Sequence, residues 1–253
     1  MSLSVAIITQ NEEQTIRGCL ESVSWADEII VVDSGSTDNT VAICKELGAK
    51  VLVMDWPGFG PQKNRALTLA TGDWVLSLDA DERVSHELRN EIQSAITTQV
   101  EHVAFRMARS SSYCGRVMRH SGWWPDYVTR LFKRRHARFS DDLVHERLIV
   151  NGRTGTLRQP LLHEAFRDLE QVLQKLNSYS SAGAAMLSQR GGKASLASAV
   201  GHGLWTFIRT YFLRAGFLDG REGFMLAVSN AEGAYYRYLK AMLLQEKNAK
   251  TKK

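Results

Sequence analysis

Asp79 and Asp81 stand one residue apart directly after the apolar run Trp74-Val-Leu-Ser-Leu78. Such a run reads as a buried strand, so the two carboxylates fall where the chain leaves an apolar interior and charge must be compensated. A hard divalent cation is the simplest compensation, because carboxylate oxygens and waters suit Mg2+ or Mn2+. The alternative is a solvated turn with acidic residues near a helix start, and Asp-x-Asp alone does not decide between the two. Three other pieces precede it: Thr9-Gln-Asn-Glu12, Asp33-Ser-Gly-Ser-Thr-Asp38 and Gln62-Lys-Asn64.

The elements that must position these residues alternate. Leu3 to Ile8 is a β-branched strand, followed by a helix with Ile16, Leu20 and Val23 on one face. Glu28 to Val32 is a second strand, ended by the Asp33 piece, in which Gly35 supplies turn freedom and Thr37 or Asp38 can cap a helix. Lys50 to Met54 is a third strand, Gln62 to Ala70 a helix and Trp74 to Leu78 a fourth strand; Ser85 caps the next helix, and Val103, Phe105 and Met107 alternate as a half-buried strand. This rhythm predicts an α/β fold: one mostly parallel sheet with helices on both faces and a site at the strands' carboxyl ends. After about residue 165 only helical spacing remains, in three segments separated by Gly191-Gly192 and by Gly216 to Gly223. The predicted division is therefore 1–165 for the sheet domain and 166–253 for a helical extension.

The bulk properties narrow the class. A chain of 253 residues with 44% hydrophobic content can bury one sizeable core. No apolar stretch reaches the roughly 18 residues of a membrane span, and Met1-Ser-Leu-Ser-Val5 lacks a basic flank before an apolar region, so a cytoplasmic protein is expected. Cys19, Cys44 and Cys114 are scattered, without metal-ligand spacing, and read as small buried hydrophobes. A net charge of +5 favours anionic partners: nucleic acid, acidic lipid headgroups or a phosphorylated substrate. The lysine-rich end reads as a solvated tail.

Taken in order, the Thr9, Asp33, Lys63 and Asp79 pieces resemble the nucleotide-sugar domain of family 2 glycosyltransferases, over roughly the first 150 residues. His145-Glu146 and Phe217-Leu-Asp-Gly220, with the helical end, resemble the bacterial subgroup that adds glucose to the inner core of lipopolysaccharide. The resemblance implies a single Rossmann-like sheet, the GT-A fold, and a Mg2+ or Mn2+ cofactor. It also implies that Asp81 coordinates the metal and that Asp79 shares the metal or meets the ribose and donor sugar. Asp33 would face the uracil or ribose with Ser34 and Gly35 beside it, Thr9, Asn11 and Glu12 would line the base pocket, and Lys63 would contact the nucleotide. Against these stand an Asx turn for Asp33, a first-turn acid for Glu12 and an exposed helical lysine for Lys63.

An inverting transferase also needs a carboxylate to take the proton of the acceptor hydroxyl. Glu146 is the first candidate, Asp126 the reserve, and Asp141 and Asp142 stand behind it; His145 is close enough in sequence to bind metal or diphosphate, the alternative being a surface His-Glu pair that starts a strand. Trp123 and Trp124 could stack on sugar rings, although large aromatics are more often core. Arg130 and the cluster Lys133, Arg134, Arg135 and Arg138 are assigned to phosphates or acidic sugars of an anionic glycolipid acceptor, the alternative being a solvated loop. Trp205, Phe207, Ile208, Tyr211 and Phe212, flanked by Arg209 and Arg214, suit peripheral contact with the inner membrane, or packing within the protein. The expected function is transfer of a hexose, glucose from UDP-glucose, to a heptose of the lipopolysaccharide inner core. Transfer of a heptose or N-acetylhexosamine to another acceptor is the alternative, and nucleic-acid binding the distant one, since it leaves Asp33 and Asp79 unexplained.

Overall fold

A computed structural model describes residues 1–98, 101–140 and 146–251, with side chains as far as residue 248. Along the chain run β1 (Leu3–Thr9), α1 (Ile16–Ser22), β2 (Glu28–Asp33), α2 (Thr40–Glu46), β3 (Lys50–Val53), α3 (Phe59–Leu69), β4 (Trp74–Asp79), β5 (Glu82–Arg83), α4 (His86–Thr98) and β6 (Ala104–Tyr113). There follow β7 (Arg116–Val117), β8 (Asp126–Lys133), β9 (Ala137–Phe139), β10 (Leu148–Val150), β11 (Thr154–Thr156), β12 (Leu161–Phe166), α5 (Leu169–Gln189), α6 (Leu196–Ile208) and α7 (Gly220–Thr251). The chain forms two compact units: Met1–Ser110 with Asp126–Glu164, and Ser111–Pro125 with Ala165–Lys253.

In the first unit the main sheet has the order β3-β2-β1-β4-β8-β6-β12-β5. The strands β3, β2, β1 and β4 are parallel, whereas β8 runs antiparallel to β4 and β6 antiparallel to β8. The expected mostly parallel sheet is thus present, its parallel strands β3, β2, β1 and β4 continued by antiparallel β8 and β6. Strand alternation divides the core. Leu3, Val5 and Ile7 of β1 pack with Ile16 and Leu20 of α1 and with Leu88 and Ile92 of α4, while Ala6 and Ile8 pack with Ala66 of α3. Each such fully buried aliphatic contributes roughly 1.5–3 kcal/mol, and a polar residue at Ile7, which has no exposed surface, would forfeit it.

Registers place the strand ends: Thr9 lies opposite Asp33, and Ile8 opposite Asp79. Because β8 returns antiparallel, Lys133 pairs with Trp74, the first residue of β4. Lys133, Arg134 and Arg135 therefore line a recess with Asp73 and Trp74 at the strand's amino end. Five residue steps along β4 separate that end from Asp79, ~16 Å along an extended strand.

In the second unit α5 is capped by Asp168, which accepts from the Gln171 N–H at 2.8 Å, and α6 by Ser195, which accepts from the Ser198 N–H at 3.1 Å. The sequence-based boundary at 166 overlooks Ser111–Pro125. That excursion belongs here because the Cys114 N–H donates to the Phe166 carbonyl at 2.8 Å and because buried Asp219 accepts from the Arg119 and His120 N–H groups, each at 3.0 Å. Among the described residues no helix is long and apolar enough to cross a membrane.

Candidate active site

The loops after β1 and β2 are knitted together. Buried Asp33 accepts from the Gly35 N–H at 2.9 Å, the Ser36 N–H at 2.8 Å and the Ser36 hydroxyl. Gly35 has φ 83, a left-handed conformation that glycine adopts without a steric penalty. Asn11, itself at φ 55, accepts from the Thr37 N–H at 2.8 Å through Oδ1 and donates its own N–H to Ser36 Oγ at 2.8 Å. Glu12 accepts from the Thr15 hydroxyl at 2.7 Å, and Ser34 Oγ accepts from Gln62 Nε2 at 3.0 Å. Asp33, Asn11 and Glu12 thus shape their own loops, as turn chemistry alone would have them do. Thr9 Oγ1 differs: it is buried without a hydrogen-bond partner among the described residues, at the carboxyl end of β1.

At the end of β4 the charges interlock. Lys63, carried by α3 and only 5% exposed, places Nζ 3.0 Å from Asp79 Oδ1 and 2.9 Å from Glu146 Oε1. The exposed helical lysine weighed above is not what this sequence builds. Arg130, from β8, reaches the other oxygen of Asp79 and lies 2.6 Å from Glu82 Oε1, while Glu82 Oε2 accepts from the Asp79 N–H at 3.0 Å. Arg109 pairs with Asp126, Nε to Oδ2 at 2.8 Å, and its Nη1 lies 3.9 Å from Glu82. Burial alone would raise the Asp79 carboxyl, but the Arg130 guanidinium and the Lys63 ammonium outweigh it and hold Asp79 well below the usual carboxylate range. Burial pushes Glu82 up instead, against the pull of Arg130.

Two corrections to the sequence reading follow. Arg130 is not part of a basic acceptor patch; it is 8% exposed at the side chain and is the counter-ion of Asp79 and Glu82. Lys133, Arg134 and Arg135 are separated from it by the antiparallel return of β8: Lys133 Nζ lies 5.5 Å from the Trp74 ring centre, and Arg134 Nε donates to the Gly72 carbonyl at 3.1 Å. Asp126 is already engaged by Arg109. Trp123 belongs to an aromatic group of the second unit, 6.0 Å from Tyr113 and 6.1 Å from Phe166, and the Arg119 guanidinium lies 4.6 Å from the Trp124 ring centre. His145, Asp141 and Asp142 lie outside the described residues.

The residue that sequence reasoning missed is His163. Its Nε2 lies 3.5 Å from Asp81 Oδ2, brought there because β12 pairs antiparallel with β5, His163 opposite Glu82. Among the described residues no three His, Cys, Asp or Glu side chains form a ready cation cage. An imidazole and a carboxylate side by side nonetheless fit Mn2+ or Mg2+, which need only one or two protein ligands when substrate phosphates and waters complete the shell.

The model for glycosyl transferase family 2 matches residues 4–156. An uncharacterized glycosyltransferase of Rickettsia conorii is 33% identical over 99% of this chain and 92% of its own length. The lipopolysaccharide core biosynthesis glycosyltransferase LpsC of Rhizobium meliloti is 32% identical over 98% of this chain and 94% of its own. A solved structure of glucosyl-3-phosphoglycerate synthase from Mycobacterium tuberculosis, in complex with Mn2+, UDP-glucose and phosphoglyceric acid, covers 43% of this chain and 44% of that one at 30% identity, with a TM-score of 0.39. The protein is thus an α/β enzyme of the glycosyltransferase class. Within that class it belongs to glycosyl transferase family 2.

Proposed function

We propose that the chain is an inverting, divalent-metal-dependent hexosyltransferase that moves glucose from UDP-glucose onto a heptose of the lipopolysaccharide inner core, at the cytoplasmic face of the inner membrane. The observation that carries this reading is the cluster at the end of β4, where Lys63 bridges Asp79 and Glu146 close to the Asp81–His163 pair. Near full-length similarity to a relative named for lipopolysaccharide core biosynthesis supports the acceptor, and the motif resemblance supports the donor. The exposed apolar side chains of Leu204, Trp205, Phe212 and Leu213 support membrane contact.

Asp81 and His163 would hold the cation, with Asp79 beside them. When bound, the cation neutralises the charge that builds on the departing diphosphate. The loops bearing Thr9, Asn11, Glu12, Asp33, Ser34 and Gly35 receive the uridine, and Lys63 meets the diphosphate. Glu146 takes the proton of the acceptor hydroxyl as that oxygen bonds to the anomeric carbon, while the bond from that carbon to the diphosphate breaks and UDP leaves with the electron pair. Asp126 is the second candidate for the base, at the cost of releasing Arg109.

Calorimetry against a panel of nucleotide sugars with Mn2+, followed by transfer to heptose-containing core acceptors, tests the proposal. UDP-glucose should bind and be consumed. Preference for a heptose or N-acetylhexosamine donor would replace the sugar, and salt-sensitive DNA binding without any nucleotide-sugar affinity would overturn the enzyme reading.

A further inference from the structure

The second unit contains a cavity of about 500 Å³ whose lining holds four cations, Lys175, Arg209, Arg214 and Arg237, and not one Asp or Glu. Its other wall includes Tyr113, Trp123 and Phe166, with ring centres 5.8–6.1 Å apart. None of the four cations takes part in an ion pair among the described residues, whereas the nearby Arg116 and Arg221 both face Glu222. Lys175 instead lies over the Phe166 ring at 4.9 Å. Gly122, at φ 82, keeps room for Arg214: a Cβ there would come within 2.4 Å of Arg214 Nη1.

Uncompensated like charges around one recess repel each other unless an external anion joins them, and phosphate oxygens accept from several guanidinium and ammonium groups at once. Thr206, Arg209, Thr210 and Arg214 of the lining belong to the same stretch of chain that exposes Leu204, Trp205, Leu213 and Leu218 by more than half of their surface. A surface of large apolar side chains with arginines interspersed suits the bilayer interface, where phosphates lie beside acyl chains. From the lining charge and that apolar surface together, we infer that this cavity receives the phosphate-bearing headgroup of an anionic membrane lipid. The inference rests on the membrane contact proposed above and goes beyond it by assigning a site.

The full chain is titrated with dihexanoyl phosphatidic acid, dihexanoyl phosphatidylcholine and glycerol 3-phosphate, following the fluorescence of Trp123 and its fellow tryptophans. Phosphatidic acid should bind tightest, and R209Q/R237Q, two exposed positions, should weaken it about tenfold or more while leaving nucleotide-sugar binding unchanged. Asn230→Trp, which fills the recess without altering its charge, should also weaken it. Glycerol 3-phosphate binding as tightly as the lipid would make this a free phosphate site and overturn the inference, as would undiminished lipid binding in R209Q/R237Q. Vesicle flotation separates the two proposals: chain that floats equally with neutral and phosphatidylglycerol vesicles keeps membrane contact but refutes the headgroup site. Preference for phosphatidylglycerol, lost in R209Q/R237Q, supports it.

Discussion

The charged groups of the two units are handled in opposite ways. At the end of β4, Lys63, Arg130 and Arg109 are matched by Asp79, Glu82, Glu146 and Asp126, in contacts of hydrogen-bond length. In the helical unit the cavity cations have no acidic lining at all. A matched cluster holds its side chains in place before any ligand arrives; an unmatched one leaves its binding capacity for something from outside. The first arrangement suits a reacting centre that must be preorganised, the second a docking site.

Breaking the matched cluster should therefore have the larger consequences. Asp81→Ala is expected to lower transfer by about a thousandfold or more while the thermal midpoint stays close to wild type, read by UDP release with Mn2+ and by calorimetry. Glu146→Gln should reduce turnover by roughly a hundred- to ten-thousandfold yet keep donor affinity, and unchanged turnover would transfer the base role to Asp126. Arg130→Met should leave Asp79 and the wholly buried Glu82 without their guanidinium and destabilise the fold by about 3–5 kcal/mol in chemical denaturation. Arg209→Gln in the unmatched set should move the same measurement by no more than about 0.5 kcal/mol.

A further effect, read against pH, lies in the core behind the site. Burial pushes the Cys44 thiol up to about 11. Folded, it keeps its proton to about pH 11, whereas unfolded it loses that proton nearer pH 9; folding then retains more protons, and stability should fall as pH rises through this window, by no more than ~3 kcal/mol. Native Cys44 should accordingly resist iodoacetamide at pH 8 and react only in denaturant; fast labelling of the native protein would contradict its burial.

Much of the α/β half was legible because short apolar runs, bounded by turn residues and alternating with helical segments, read as buried strands: Leu3 to Ile8, Glu28 to Val32 and Trp74 to Leu78. The carboxyl-end placement of Asp33 and Asp79 followed from that alternation. Contacts between residues far apart in sequence were not legible. His163 reaches Asp81 through antiparallel pairing across some eighty positions, and a lone His in Leu-Leu-His-Glu gives no local signal. Arg130 did carry one: an arginine between Val128, Leu131 and Phe132 in a strand pattern must be buried and so must find an anion. Its neighbours Lys133 to Arg135 obscured that, being close in sequence but turned to the opposite end of β4. The helical half was read correctly in its periods, yet periodicity could not show that Ser111–Pro125 would join it through Asp219.

Lys63 leaves the molecule with an economy of charge. A single ammonium serves a carboxylate on a rigid strand and another two residues before β10, so whatever withdraws that ammonium from one deprives the other as well. The two acids are thereby bound to a common counter-ion, and the state of one is felt by the other without their touching.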